Sequence, residues 1–335
     1  MKELLKNVNK VLPRRIDIFI CSSSFEDRSL SIVKHIDINR IKHAIICTNE
    51  DQKDIVGKNA IKIHKLFSKA TFAKFDTNNP LTIADSLAAE INSIETTKQL
   101  NYVIDITTFT HEALLIICKL VSILKKRGDM IFFVYNSAKE YSYQTKAIEE
   151  IWLTKGLRDI RTVLGYPGKF KAYQKLHLLV LVGYEIERAK QLIQSYEPAV
   201  LSLGIGSKNA SIAEELYSIN KAKYSNLKVI YKDVQEFGFS CTNPVDTVIA
   251  IDNQISKYSD YNVVVSPMNN KISTLGCALF SLVRPSVQLI SSRANIYNTS
   301  YSKASEFFYV FEYSSLIKDL KSALKRNKLA GFGKN

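Results

Sequence analysis

Histidine and cysteine chemistry has little to work with in this sequence. The five cysteines (Cys21, Cys47, Cys118, Cys241, Cys277) stand alone, with no CxxC pair and no nearby CxxH spacing. That argues against a zinc site and leaves small buried thiols of a reducing compartment. The glycines of "LGIGS", Gly204 and Gly206, complete neither a GxGxxG fingerprint nor a Walker motif, so nicotinamide binding and ATP hydrolysis are disfavoured. A GxSxG elbow and an HExxH pair are also missing. No apolar run approaches the roughly 18–20 residues that span a bilayer. The opening "MKELLKNVNKVLPRRIDIFICSSS" lacks a signal peptide's apolar core before a small-residue cleavage site. The expectation is a cytoplasmic protein with no membrane partner.

What is present is apolar residues and positive charge. At 335 residues with 46% hydrophobic content, the chain is long enough for two cored domains. The net charge of +14 suits a phosphate-bearing ligand or nucleic acid through long-range attraction. It suits equally a genome rich in lysine codons. The densest basic cluster is the tail "KDLKSALKRNK" at 318–328, which on a helix reads as a solvated basic face or a nucleic-acid contact.

The first half alternates strand and helix signals. "RIDIFICSS" (15–23) reads as a strand and "DRSLSIVKHI" as the helix after it; "KHAIICTNE" (42–50) and "AIKIHKLF" (60–67) read as further strands. "NNPLTIADSLAAEINSI" (78–94) opens a helix with Asn79 as cap and Pro80 in its first turn. "YVIDITTF", "THEALLIICKLVSILKKRG" and "MIFFVYNS" continue as strand, helix and strand. This alternation predicts a parallel sheet covered by helices on both faces.

The second half repeats the order. "LHLLVLVGY" (176–184) is a strand before helix "EIERAKQLIQSY"; "PAVLSLGIGS" (198–207) and "NLKVIYKDV" (226–234) read as strands. "TNPVDTVIAIDNQISKY" starts again on Asn-Pro. "YNVVVSPMNNKISTLGCALFSLV" mirrors "YVIDITTFTHEALLIICKLVSIL", matching Tyr102 with Tyr261, Cys118 with Cys277 and Leu120 with Leu279 at an offset of 159. Phe25-Glu26 and Tyr184-Glu185 share that offset. The expected fold is therefore α/β, as two tandem Rossmann-like parallel-sheet units related by internal duplication, one over 1–165 and the other over 166–335 with a basic C-terminal helix. The region near 140–172, with Trp152 and the turn "LGYPGKF", is taken as the junction, and the chain ends with strand "EFFYVFEY", helix "SLIKDLKSALKRN" and a fraying tail.

In sheets of this class ligands bind outside the carboxyl ends of the strands. Four segments fall there, Ser22–Arg28, Asp105–Glu112, Gly183–Arg188 and Ser266–Lys271, and they would face one cleft if the two halves pack as a pseudo-dimer. Glu26 with Arg28, and Glu185 with Arg188, read either as strand-to-helix staples or as a grip on phosphate, with Ser22, Ser23 and Ser24 as donors. Lys271 in the opening turn of a helix opposes the dipole unless an anion or solvent compensates. Asp105 interrupts an apolar strand whose second copy has Val264, so it needs a metal, a partner or a hydrogen-bond shell. His111 and Glu112 open the following helix.

The stretch "VVVSPMNNKISTLGCAL" resembles the strand-loop-helix of CRISPR-associated Rossmann-fold (CARF) sensor domains, and two fused units resemble the SAVED arrangement of antiviral signalling proteins. The loop departs in carrying Pro267-Met268 where such loops are glycine-rich. The resemblance implies recognition of a nucleotide second messenger through Ser266, Asn269, Asn270 and Lys271, and a role in antiphage defence beside a protein partner encoded nearby. The resulting expectation is a sensor that binds a nucleotide or other phosphorylated ligand. Arg28, Arg188 and Lys271 would hold phosphate; Phe25, Tyr184, Thr107, Thr108 and the serines would hold base or ribose; no cofactor is needed. The alternative is a nuclease or nucleotide hydrolase holding Mg²⁺ on Glu26, Asp105 and Glu112. A third reading is an adaptor whose basic surface docks nucleic acid or a protein.

Overall fold

A computed structural model describes residues 1–50, 53–94, 99–141, 151–231, 233–299 and 302–332. Residues 142–150 of the expected junction and the tail after 332 lie outside the described residues. In chain order the elements are β1 (Lys2–Leu4), α1 (Val8–Val11), β2 (Ile16–Ser22), β3 (Ile41–Asn49), α2 (Lys53–His64), β4 (Ala70–Phe75), α3 (Leu81–Asn92), β5 (Asn101–Asp105), α4 (His111–Leu124) and β6 (Met130–Tyr141). There follow β7 (Thr154–Thr162), β8 (Leu176–Leu181), α5 (Ile186–Tyr196), β9 (Val200–Gly206), α6 (Glu214–Ile230), β10 (Gln235–Phe239), α7 (Pro244–Ile255), β11 (Asn262–Pro267), α8 (Lys271–Val283), β12 (Gln288–Tyr297), β13 (Ser302–Glu312) and α9 (Tyr313–Phe332).

The chain makes two α/β units. Unit 1 comprises Met1–Tyr141 with Ser302–Ser315, and unit 2 comprises Ser142–Tyr301 with Leu316–Asn335. The sheet of unit 1 runs β1-β13-β6-β5-β2-β3-β4, and that of unit 2 runs β10-β9-β8-β11-β12-β7. Each has five parallel strands in the Rossmann-like order 3-2-1-4-5, closed beside the fifth by one antiparallel strand. This shared order is what an internal duplication produces.

A single boundary at 165 does not describe the division. β7, from the expected junction, completes the sheet of unit 2, and β13, from the end of the chain, completes that of unit 1. Each sixth strand follows its own fifth strand in sequence yet pairs with the other copy's: β13 with β6, β7 with β12. The two copies have exchanged strands.

Apolar strands buried on both faces account for the layers. β2 has only Ser22 outside its buried run, so helices must cover both sides. One core of unit 1 gathers Phe19, Cys21, Ile46, Ile63, Phe67 and Phe308; that of unit 2 gathers Val180, Leu192, Leu203, Leu227 and Val264. Short polar residues open the helices that cover them. Thr110 Oγ1 accepts from the Ala113 amide (3.1 Å), Asn243 Oδ1 from Val245 (2.9 Å) and Asn270 Oδ1 from Ser273 (2.9 Å), each cap stabilising by about 1 kcal/mol. Asn79 Oδ1 accepts from the Leu81 amide (3.2 Å), although the helix begins one residue after Pro80.

Three expected elements differ. Residues 60–67 belong to helix α2 and its end, not to a strand, because Val56, Ala60 and Ile63 turn to the core at helical spacing. Residues 226–230 finish α6, which buries Leu216, Asn220, Tyr224 and Leu227 and leaves Val229 and Ile230 exposed. The stretch after Ser22 forms only a 3-10 turn at Asp27–Leu30. Among the described residues, no helix is long and apolar enough to cross a membrane.

Candidate functional site

The charged residues at the strand ends of unit 1 are drawn inward. Arg28 and Glu26 are 4% and 8% exposed, so neither group faces a solvent-borne ligand. Arg28 Nε and Nη2 both donate to Glu26 Oε2, at 2.9 and 2.6 Å. Arg28 Nη1 donates to the Asn136 carbonyl in β6 (3.2 Å), and Ser302 Oγ donates to Glu26 Oε2 (2.7 Å). The pair thereby ties the loop after β2 to β6 and to the first residue of β13.

The same arrangement recurs in unit 2. Glu185 accepts from the amides of Leu153 and Thr154, each at 3.1 Å, and from the Thr154 hydroxyl, Thr154 being the first residue of β7. Arg188 Nη1 donates to the Ser292 carbonyl in β12 (2.6 Å), while its Nε lies 3.7 Å from Glu185. Register makes the positions equivalent. Ser302 stands opposite Tyr141 and Thr154 opposite Tyr297, the last residues of the two fifth strands. Asn136 and Ser292 each lie five positions before that tyrosine. The repeated Glu–Arg pair is thus a clamp: Glu holds a hydroxyl residue at the head of the exchanged strand, and Arg holds a carbonyl of the strand beside it.

Asp105 ends β5 in full burial. It accepts from the Thr107 amide (3.0 Å) and the Thr107 hydroxyl, and Thr107 Oγ1 in turn accepts from the Asn136 amide (2.9 Å). Burial pushes its pKa up to about 7, although the Thr107 bonds and the nearby Arg28 charge pull the other way. In unit 2 the counterparts are Val264 and Ser266. With no carboxylate to receive it, the buried Ser266 hydroxyl meets no hydrogen-bond partner among the described residues.

The remaining candidates also serve the loops. Ser23 Oγ donates to the Cys47 carbonyl (3.4 Å), Ser24 Oγ accepts from the Glu26 amide (3.3 Å) and Thr108 Oγ1 donates to the Ser22 carbonyl (3.2 Å). Tyr184 OH donates to the Leu216 carbonyl (3.0 Å), Asn269 Nδ2 to Val182 (2.7 Å) and Asn270 Nδ2 to Cys241 (2.7 Å). Phe25 and Lys271 are half-buried, and Glu112 is buried in the first turn of α4. Ser302, Thr154, Asn136 and Ser292 were not foreseen, because their roles depend on a register between strands distant in sequence that no local pattern carries.

In unit 2 the loops after the first and fourth strands meet tightly. A Cβ on Gly183 would lie 2.0 Å from the Met268 carbonyl oxygen. Gly183→Ala is therefore expected to destabilise unit 2 by ~1–3 kcal/mol through overpacking. Urea unfolding followed by Trp152 fluorescence checks this, and an unchanged midpoint would contradict it.

No family model and no curated protein matches the sequence. Among solved structures, a SAM-dependent methyltransferase of the DUF858 family from Leishmania major is similar at 11% identity and a TM-score of 0.23, over 49% of this chain. This chain spans 65% of that protein's length.

Both functions expected from the sequence are corrected. Of the intended phosphate holders of the sensor, Arg28 spends donors on the Glu26 carboxylate and the Asn136 carbonyl, and Arg188 Nη1 donates to the Ser292 carbonyl while its buried Nε meets no hydrogen-bond partner among the described residues. For the nuclease, Glu26 is neutralised by Arg28, Asp105 is bonded to Thr107, and no cluster of acidic, histidine or cysteine side chains among the described residues is arranged to hold a metal.

Proposed function

We propose that this protein acts by binding rather than by chemistry at its strand ends, with the basic face of α9 as the contact surface and a nucleic-acid backbone as the partner. The observation that carries this is an unpaired lysine face. α9 buries Leu316 and Leu320 and leaves Lys318, Lys321 and Lys325 exposed. Spacings of three and four residues put those lysines on one side of the helix. No ion pair among the described residues engages their ammonium groups. Arg326 adds a fourth exposed cation, and Asp319 is the one acid between 318 and 328.

Lysine favours a phosphate backbone over a particular carboxylate. Its ammonium is a point charge on a flexible stem and imposes no bidentate geometry. Each phosphate contact releases condensed counterions, and a chain of net charge +14 approaches a polyanion from a distance. Between Lys318 and Arg326 the helix carries no aromatic or amide side chain to read a base edge, so binding there is indifferent to sequence.

Fluorescence anisotropy with labelled single- and double-stranded oligonucleotides tests the proposal. Three phosphate contacts predict a slope of log K against log salt of about −2.7 on duplex DNA. The Lys318→Glu/Lys321→Glu/Lys325→Glu variant should bind at least about tenfold more weakly with an unchanged circular dichroism spectrum. Undiminished binding by that variant, or wild-type binding indifferent to salt, would sink the proposal. A preference for polyglutamate over every oligonucleotide would redirect the surface to an acidic protein.

A further inference from the structure

Among the described residues, the strands that pair with β13 come from residues 1–141. β6 pairs with it over Ser302–Glu312 and β1 over Phe307–Tyr309. Glu26 grips Ser302, and Asn136 Nδ2 donates to the carbonyls of Ser305 and Phe307 at 3.0 and 2.8 Å. The Met1 ammonium donates to the Val310 carbonyl at 3.0 Å. Yet the residues before β13 in sequence, through Tyr301, and those after Ser315 belong to unit 2. β13 is therefore a donor strand whose acceptor lies elsewhere in the chain. β7 is the reciprocal case, paired with β12 and gripped by Glu185.

None of these contacts depends on donor and acceptor sharing one covalent chain. We infer that the β6 edge with its Glu26–Arg28 clamp is a strand-acceptor site that also takes β13 of a second copy, giving a strand-exchanged dimer. In that dimer each β13 completes the other copy's seven-stranded sheet. Exchange of an identical element is an economical route to a dimer, because every native pairing is kept. The occupant is a second copy, since this strand already matches the clamp: a hydroxyl residue opposite Tyr141, and carbonyls at Ser305 and Phe307 placed for Asn136. Within one chain the tether favours the closed form, so the dimer fills when chains refold together at high concentration.

Lys303 and Glu140 are direct partners across this pairing, joined by a 2.8 Å ion pair outside the clamp. One full-length chain carries Glu140→Cys and another Lys303→Cys. The two are unfolded, mixed, refolded from dilute to concentrated solution and gently oxidised. The expected result is a disulfide-linked dimer that forms in the mixture, increases with concentration and is absent when either variant is refolded alone. A chain carrying both substitutions should close its own disulfide when dilute. In parallel, light scattering on refolded wild type should show a dimer fraction growing with concentration. Wild type that stays monomeric throughout overturns the inference. So does a dimer that the engineered disulfide between positions 140 and 303 fails to capture, because its interface then lies elsewhere.

Discussion

Asp105→Asn should make the protein more stable, and only toward neutral and alkaline pH. In the folded chain burial raises the Asp105 pKa from 3.8 to about 7, so the native state holds this proton more tightly than the unfolded chain does. The associated stability is complete below about pH 4 and is lost as pH rises through 7. A shift of about three units corresponds to ~4 kcal/mol. Asparagine keeps an acceptor for the Thr107 amide and hydroxyl while carrying no charge to bury. The variant should match wild type near pH 4 and exceed it by ~4 kcal/mol at pH 8 and above. Urea unfolding by circular dichroism at both pH values measures the difference. Taking variant minus wild type removes His177, whose pKa burial lowers to about 4 and which weakens the fold as pH falls below 6.5. A variant less stable than wild type at pH 8 would mean that the carboxylate is needed there as the counter-charge of Arg28.

The second large effect belongs to the clamp. Glu26→Ala leaves the buried Arg28 guanidinium without the carboxylate that accepts from its Nε and Nη2, and loss of one member of such a pair costs about 3–5 kcal/mol. Replacing both residues by methionine removes the buried charges together and should recover most of that loss. The measurement is a double-mutant cycle in urea, with hydrogen exchange of β13 amides as a local readout. If Glu26→Ala is neutral, Glu26 does not hold β13. If the double variant is as unstable as the single, the lost stability lies in the Ser302 and Asn136 contacts rather than in the unpaired charge.

The sequence showed the parallel sheets clearly, because buried strands alternating with capped helices leave few other arrangements. It also showed the duplication, through an offset carried by residues such as Tyr102 and Tyr261. Two strands were misplaced where a short window was read alone. "AIKIHKLF" alternates like a strand, but Val56, Ala60 and Ile63 place it on a helix once the preceding turns are considered. The strand exchange was not legible. Local patterns report which residues pair with a neighbour, and nothing in "SKASEFFYVFE" records that its partners lie 161 to 180 residues earlier. Hence the Glu–Arg pairs were seen, but not their hydroxyl partners, and a structural pair and a phosphate grip remained indistinguishable until burial separated them.

The strand order also sets a timetable for synthesis. Unit 1 emerges from the ribosome first, yet its sheet waits for β13, and the stretch from Tyr141 to Ser302 takes roughly 8–30 s at about 5–20 residues per second. During that interval β6 stands at an open edge, and the first strand to appear beside it is β7, whose final partner has not yet been made. The sheet of unit 1 is thus completed last, after every strand of unit 2 has been made.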